Sequence, residues 1–345
     1  MRVLITGGAG FIGSHMSTYW AEQGADVIVF DNLTRRGAKH NLDALREKFP
    51  TLTHIMGDVR NFDAVSTAMQ GVDLVLHLAG QVAVTTSVVN PRSDFEINAL
   101  GTLNVLEAVR LSKNPPILFN FSTNKVYGHL DYLPVVEQET RYAFDHNLKG
   151  ITEDYPLDFH SPYGCSKGTG DQYVRDYARI YGLRNVVFRM SCIYGPRQFG
   201  IEDQGWLAHF VISALLDRPI TIYGNGKQVR DVLFVADLVR AVASAVQNID
   251  HTAGNIYNIG GGLDNSLAVW TEFAPLLEEI SGLRIPVRYS EWRPGDQKIY
   301  ISDTGRAFQD FGWQPTISPR EGVRRMTEWI QENLGTIQSY LAASS

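Results

Sequence analysis

The chain has 345 residues, a formal net charge of −6, and 44% hydrophobic against 20% charged residues, the balance of a soluble globular protein with one large core or two smaller ones. That charge offers no general attraction to nucleic acid or to an anionic membrane, so any phosphate binding must be local. No apolar run reaches the roughly 18 residues of a membrane span, the first strand begins at Arg2 without room for a signal peptide, and Cys165 and Cys192 are too few for a disulfide framework or a zinc site. A cytoplasmic enzyme without a metal is expected.

Residues 3–5 predict a first strand. The run that follows, Thr6-Gly7-Gly8-Ala9-Gly10-Phe11-Ile12-Gly13, carries three spaced glycines into a predicted helix at 14–23. Gly7 permits a tight turn, Gly10 lets a pyrophosphate approach the backbone, and Gly13 lets the helix lie close to the strand. The helix N-terminus then offers unpaired N–H groups to phosphate. A second strand at 26–30 ends at Asp31, where a carboxylate accepts the ribose hydroxyls of a dinucleotide. It would repel a 2′-phosphate, which favours NAD over NADP. Arg35 and Arg36 would neutralise such a phosphate, or are solvated loop residues beside Gly37.

Short apolar runs recur at 54–56, 74–78, 117–121 and 186–188, with helices predicted at 62–70, 93–112 and 163–181. Runs without strict alternation suit parallel strands buried on both faces. The expected fold class is α/β: a Rossmann doubly wound parallel sheet with a smaller C-terminal substrate-binding lobe. The nucleotide domain is expected at 1–190 with returning segments at about 232–260, and the lobe at 191–231 and 261–340. Within the lobe, Tyr194-Gly195-Pro196 marks a turn, a helix is predicted at 206–216, and Gly224 and Gly226 break the next run.

Tyr163 and Lys167 form a Tyr-x-x-x-Lys pair, one turn apart on one helix face. Tyr223 and Lys227 share the spacing, but Gly-Asn-Gly follows Tyr223 and would not hold helical register. Tyr163 instead opens a long helical stretch behind Ser161-Pro162. A phenol with an ordinary pKa of about 10 needs nearby positive charge to act as a base, and Lys167 and an oxidised nicotinamide would supply it. The third member should be a hydroxyl at the end of the 117–121 strand. Thr123 is the candidate, with Ser122 read as capping the turn.

These motifs, with Asp58-Val59, Leu78-Ala79-Gly80, Asn98, Gly101-Thr102 and Val126-Tyr127-Gly128, resemble the extended short-chain dehydrogenase/reductases that act on nucleotide sugars, over nearly the whole chain. The resemblance implies a catalytic set of Thr123, Tyr163 and Lys167, the last two also touching the cofactor. Phe11, Ile12 and Asn32 would join the glycines and Asp31 around NAD, with Asp58 and Val59 at the adenine, Leu78 to Gly80 lining the site, and Ser122 and Asn98 beside it. Asn98 would chiefly support the active-site backbone. Relatives that dehydrate sugars usually carry an acidic pair where this chain has Asn124 and Lys125, which argues against a dehydratase.

The segments at 80–87, 122–128, 161–167 and 191–200 resemble most closely the family's 2-epimerases of CDP-linked 3,6-dideoxyhexoses. Such an enzyme would oxidise C2 to a transient ketone and return hydride to the other face, without net use of NAD. Thr85, Ser87, Asn124, Lys125, Cys192, Gln204, Arg230 and Arg293 are the expected substrate contacts. Arg230 and Arg293 would grip the diphosphate, or pair internally with Asp231 or Asp296. Cys192 stands where an asparagine is common in relatives, and a thiol is the weaker donor. Trp206 would pack on the base or into the lobe. A UDP-hexose 4-epimerase and a non-catalytic redox sensor are the competing expectations. The helices at 98–112 and 163–181 would pair across a two-fold axis in a homodimer or homotetramer, as they do in relatives.

Overall fold

The computed structural model describes residues 1–145, 148–292 and 296–342. Seven strands form one wholly parallel sheet: β1 (Arg2–Thr6), β2 (Asp26–Asp31), β3 (Thr53–Met56), β4 (Leu74–His77), β5 (Ile117–Thr123), β6 (Asn185–Met190) and β7 (Ile256–Ile259). Their order is β7-β6-β5-β4-β1-β2-β3. Successive residues of a strand face opposite sides, and both sides here are apolar. Val3, Ile5, Val29, Leu76 and Phe119 share a core with Met16 and Trp20 of the helix Phe11–Glu22 and with Leu238 and Val242 of Val235–Gln247. Leu4, Ile28, Val75 and Leu118 face the other way, onto Val65, Val105, Val109 and Val174. Burial on both faces explains why the strands read as continuous apolar runs.

The order of connection reverses between β1 and β4, and this opens a crevice at their carboxyl ends. The glycine run after β1 and residues 78–80 after β4 meet there. On the other side of β4 lies β5, which ends at Ser122 and Thr123. The helix Ser161–Tyr181 packs beneath it and stops at Gly182, whose φ of 65° gives the left-handed C-cap.

The helix expected at 93–112 is three pieces. An α-turn, Pro91–Phe95, is capped by the Asn90 side chain; a π-turn, Glu96–Leu100, follows; an α-helix, Gly101–Leu111, completes it. Apolar periodicity does not register one extra residue in a turn, so a single helix was the natural expectation.

The lobe gathers around Trp206–Leu215, Phe273–Ser281 and Pro319–Glu332, with Ile220, Ile222 and Trp270 in its core. Its central strand, Val229–Phe234, runs through the boundary expected at 231/232 and pairs with Cys192–Tyr194, Ser266–Ala268 and Ile299–Tyr300. The turn after Tyr194 seats the lobe on the glycine-run helix. Arg197 Nη1 donates to Ser14 O at 3.0 Å and Thr18 Oγ1 at 2.9 Å, and the His15 ring meets Pro196 O at 2.9 Å. Among the described residues no helix is long and apolar enough to cross a membrane.

Candidate active site

The glycine run is a close-approach device. Gly7 has φ 69°, and a Cβ there would lie 2.8 Å from Ala79 N; a Cβ on Gly13 would lie 2.1 Å from Gly7 O. Gly10 caps the helix with no side chain of its own, and the N–H groups of Phe11, Ile12 and Gly13 have no partner within the helix. Asp31 accepts from Ala9 N at 3.0 Å and Leu33 N at 2.8 Å, and burial raises its carboxyl above the usual range. Each oxygen keeps a second lone pair. Asn32 donates to Asp58 at 3.1 Å, and Arg60 clamps Asp58 at 2.9 and 2.7 Å, holding its pKa down to about 2. Asn104 fixes Val59 O at 2.9 Å, and Gly101 lets the Val59 side chain approach its backbone.

A directed chain of hydrogen bonds fixes the exit of β4. Thr102 Oγ1 donates to Asn98 O at 2.6 Å, so it accepts from His77 Nε2 at 3.0 Å. His77 Nδ1 then accepts from Thr6 Oγ1 at 2.8 Å, which itself accepts from Ala79 N at 3.2 Å. Burial, aided by Lys167, pushes His77 down to about 3, so it stays neutral. Asn98 accepts from Gln81 N at 2.9 Å and donates to Gln81 O, Asp94 Oδ1 and Ser166 Oγ at 3.0, 3.2 and 3.1 Å. Its amide thus bonds Gln81, Asp94 and Ser166.

Thr123, Tyr163 and Lys167 come together below this turn. Thr123 Oγ1, not Ser122, caps the following turn by accepting from Lys125 N at 3.2 Å. The reason is register: Thr123 is the last strand residue. Ser122 Oγ is instead buried without a partner. Tyr127, fully buried, anchors the turn through Asn258 at 2.7 Å. Burial pushes the Tyr163 phenol up to about 12; hydrogen bonding with Thr123 and the charge of Arg35 oppose the rise, and Asp94 adds to it. Lys167 Nζ donates to Phe121 O at 2.6 Å and is pulled down to about 8 by burial, against Asp171 and Asp94. Arg35 thus bears on Tyr163, a role not foreseen in weighing it against a 2′-phosphate. Tyr223 ends a strand and Lys227 binds Glu137, so the second Tyr-x-x-x-Lys match is not a helical pair.

Ser87 does not present its hydroxyl to a sugar in this geometry. It accepts from Tyr163 N at 3.1 Å and donates to Val84 O at 2.6 Å, seating the tyrosine. Thr85 is exposed on the same short helix, Val84–Val89. Asn124 is buried, 3.4 Å from Thr123 Oγ1.

Across the cleft, Lys125 Nζ donates to Gln297 Oε1 at 3.2 Å, and Arg230 donates to Asp296 Oδ1 at 2.6 Å. The internal pair weighed for Arg230 therefore forms with Asp296; Asp231 binds Ser191, Gly262 and Ser302 instead. Burial and Arg230 push Lys125 down to about 8, with Asp296 and Cys192 opposing. Burial raises the Cys192 thiol, countered by the charge of Arg230. Trp206 stacks edge-on against Phe210 and Phe273 inside the lobe. Gln204 lies in the turn leading to that helix, and Arg293 lies outside the described residues. Gln81, Asp94, Ser166 and Gln297 were missed by sequence reasoning. The four-residue spacing of Asp94 and Asn98, and the position of Ser166 inside Tyr-x-x-x-Lys, were the available signals. Among the described residues no group of three or more His, Cys, Asp or Glu is placed to hold a metal ion.

A family model described as the NAD dependent epimerase/dehydratase family matches residues 3–260. The chain is 45% identical over 337 residues to a CDP-paratose 2-epimerase of Salmonella typhi, covering 95% of this chain and 99% of that one. It is 34% identical over 333 residues to a putative UDP-glucose 4-epimerase of Methanocaldococcus jannaschii, with 96% and 99% covered. Among solved structures, a dTDP-glucose 4,6-dehydratase of Streptomyces venezuelae with NAD bound superposes with a TM-score of 0.83 at 30% identity, covering 99% of this chain and 100% of that one. A Thermotoga maritima UDP-glucose 4-epimerase with UDP-glucose gives 0.82 at 31% identity, with 97% and 100% covered. A crevice shaped by Gly7, Gly10 and Gly13, ending at a tyrosine, lysine and threonine, and matched over most of the chain, has one reading: the protein belongs to the NAD dependent epimerase/dehydratase family.

Proposed function

We propose that the protein epimerises a nucleotide-diphosphate sugar at C2, interconverting CDP-paratose and CDP-tyvelose. The observation that carries the acid/base part is the convergence of Thr123, Tyr163 and Lys167 at the crevice end, with the Thr123 hydroxyl bearing on the phenol. The substrate assignment is supported by the Salmonella relative and by Asn124 and Lys125 standing where a dehydratase would need carboxylates.

The crevice fits the cofactor of this family. The bare Gly10 cap and the free N–H groups after it suit a pyrophosphate, Asp31 retains lone pairs for ribose hydroxyls, and the orphaned Ser122 Oγ offers a buried polar contact. NAD supplies a reversible acceptor for the C2 hydride. Tyr163 takes the proton of the 2-hydroxyl as that C–H bond breaks, and Thr123 holds the oxygen as it becomes a ketone. Lys167 favours the phenolate by its charge. With the planar ketone presenting its other face, Tyr163 would return the proton to the oxygen, and the cofactor would supply the hydride that inverts C2 with no net redox change. Lys125 and Arg230, with Cys192 beside them, would supply the cations for the diphosphate side.

The Methanocaldococcus relative favours a second reading, 4-epimerisation of a UDP-hexose with the same residues and a differently seated sugar. Incubation with CDP-paratose, CDP-tyvelose and UDP-glucose, followed by NMR of the products, separates the two. Conversion of the CDP sugars is expected; turnover of UDP-glucose alone would overturn the C2 assignment.

A further inference from the structure

Asp94 is 1% exposed and lies on the short turn Pro91–Phe95, outside the set that would touch substrate. Three donors converge on its carboxylate: Gln81 Nε2 at 2.8 Å and Asn98 Nδ2 at 3.2 Å on Oδ1, and Ser166 Oγ at 2.5 Å on Oδ2. Each comes from a different support of the active site. Gln81 follows the β4 exit, Asn98 sits in the π-turn, and Ser166 lies between Tyr163 and Lys167. An amide nitrogen only donates, so Oδ1 carries no proton. Ser166 has one hydrogen, and its contact with Asp94 is shorter than the 3.2 Å alternative to Tyr163 O, as for an O–H bound to a carboxylate.

Burial raises the Asp94 carboxyl, and the hydrogen bonds from Ser166 and Gln81 and the charge of Lys167 oppose the rise. Lys167 faces Asp171 on its own helix, Asp94 from 91–95 and neutral His77 from β4. Asp171, the larger of the two charges acting on Lys167, is also gripped bidentately by Arg189 at 2.9 Å on both oxygens. Asp94 has no contact ion pair among the described residues. We propose that Asp94 is a positioning residue that keeps Lys167 protonated in the resting site while tying the β4 exit, the π-turn and the Tyr163 helix together. The proposal rests on Tyr163 and Lys167 being the acid/base couple.

Asp94→Asn is nearly isosteric: its Oδ1 still accepts from both amides, and Ser166 can turn to accept from the new amide and donate to Tyr163 O. In the NAD-loaded enzyme, the alkaline limb of kcat/KM against pH should move down by at least about half a unit, because Lys167 loses its proton earlier. Ser166→Ala, which keeps the charge, should leave the limb in place. If Asp94→Asn does not fold, Asp94→Ser, which leaves room for water at the donors, reads the same limb. A uniform loss of rate with an unmoved limb would reduce Asp94 to a structural role and overturn the proposal. Tyr163→Phe, run alongside, separates the two failures: full activity there sinks the couple itself, whereas an inactive Tyr163→Phe beside an unmoved limb sinks only the role of Asp94.

Discussion

Tyr163 starts from a poor position for a base, since burial pushes its phenol up to about 12. The Thr123 hydroxyl and the charge of Arg35 oppose that rise, and the positive nicotinamide of bound NAD would add to them. Tyr163→Phe should lower turnover by at least about 10²-fold while NAD content stays near that of the parent; an unchanged rate would remove the phenol from the chemistry. Lys125 is a half-buried cation beside Arg230, and its removal should be felt in binding. Lys125→Met is expected to raise KM for the CDP sugar about ten- to a hundredfold, the worth of one charged hydrogen bond, with less effect on kcat; an unchanged KM would leave Lys125 as a partner of Gln297 only. Thr123, Tyr163 and Lys167 were legible because helical register and strand ends are local. The use of Ser87 was not, because its hydroxyl serves Tyr163 from 76 residues away.

At the scale of elements, the β4 exit and the π-turn are held by a neutral histidine. His77 is pushed down to about 3 and His15 to about 4, both from 6.5, mainly by burial. The native state therefore refuses protons that the unfolded chain accepts below pH 6.5, so acid favours unfolding. Stability should fall as pH drops from 6.5 towards 4, at about 1.4 kcal/mol per pH unit for each histidine. Denaturant titrations of the parent and of His77→Asn test this: the variant should lose about one histidine's worth of slope, and an identical slope would show that His77 is not the group responsible. The sheet itself was readable from its apolar runs, as the two-faced burial of Val3, Leu4 and Ile5 makes plain. The π-turn was not, since the network that rewards it joins Asn98 to Gln81 and Ser166, far apart in sequence.

For the whole molecule, the glycine run, the lobe and the catalytic helix form one connected device. Arg197 and His15 dock the lobe on the helix that opens the cofactor crevice. The helices Gly101–Leu111 and Ser161–Tyr181 leave Leu111, Tyr173, Ile180 and Tyr181 exposed on the far side of the sheet. We propose that this face pairs with a second copy. Light scattering on the parent should give a dimer or tetramer, and Ile180→Glu should yield monomer; a monomeric parent would contradict the pairing. The neighbourhood of Lys125 was the least legible part, because Cys192 and Arg230 reach it on paired strands and Gln297 from 172 residues away.

The central claim is that hydride leaves one face of C2 and returns to the other within a single binding event. CDP-paratose carrying deuterium at C2 tests it most directly, with the product examined by NMR and mass spectrometry. The account predicts CDP-tyvelose with the deuterium still at C2 and no exchange with added unlabelled NADH. Loss of the label to solvent, or its replacement by hydrogen from the added NADH, would contradict it.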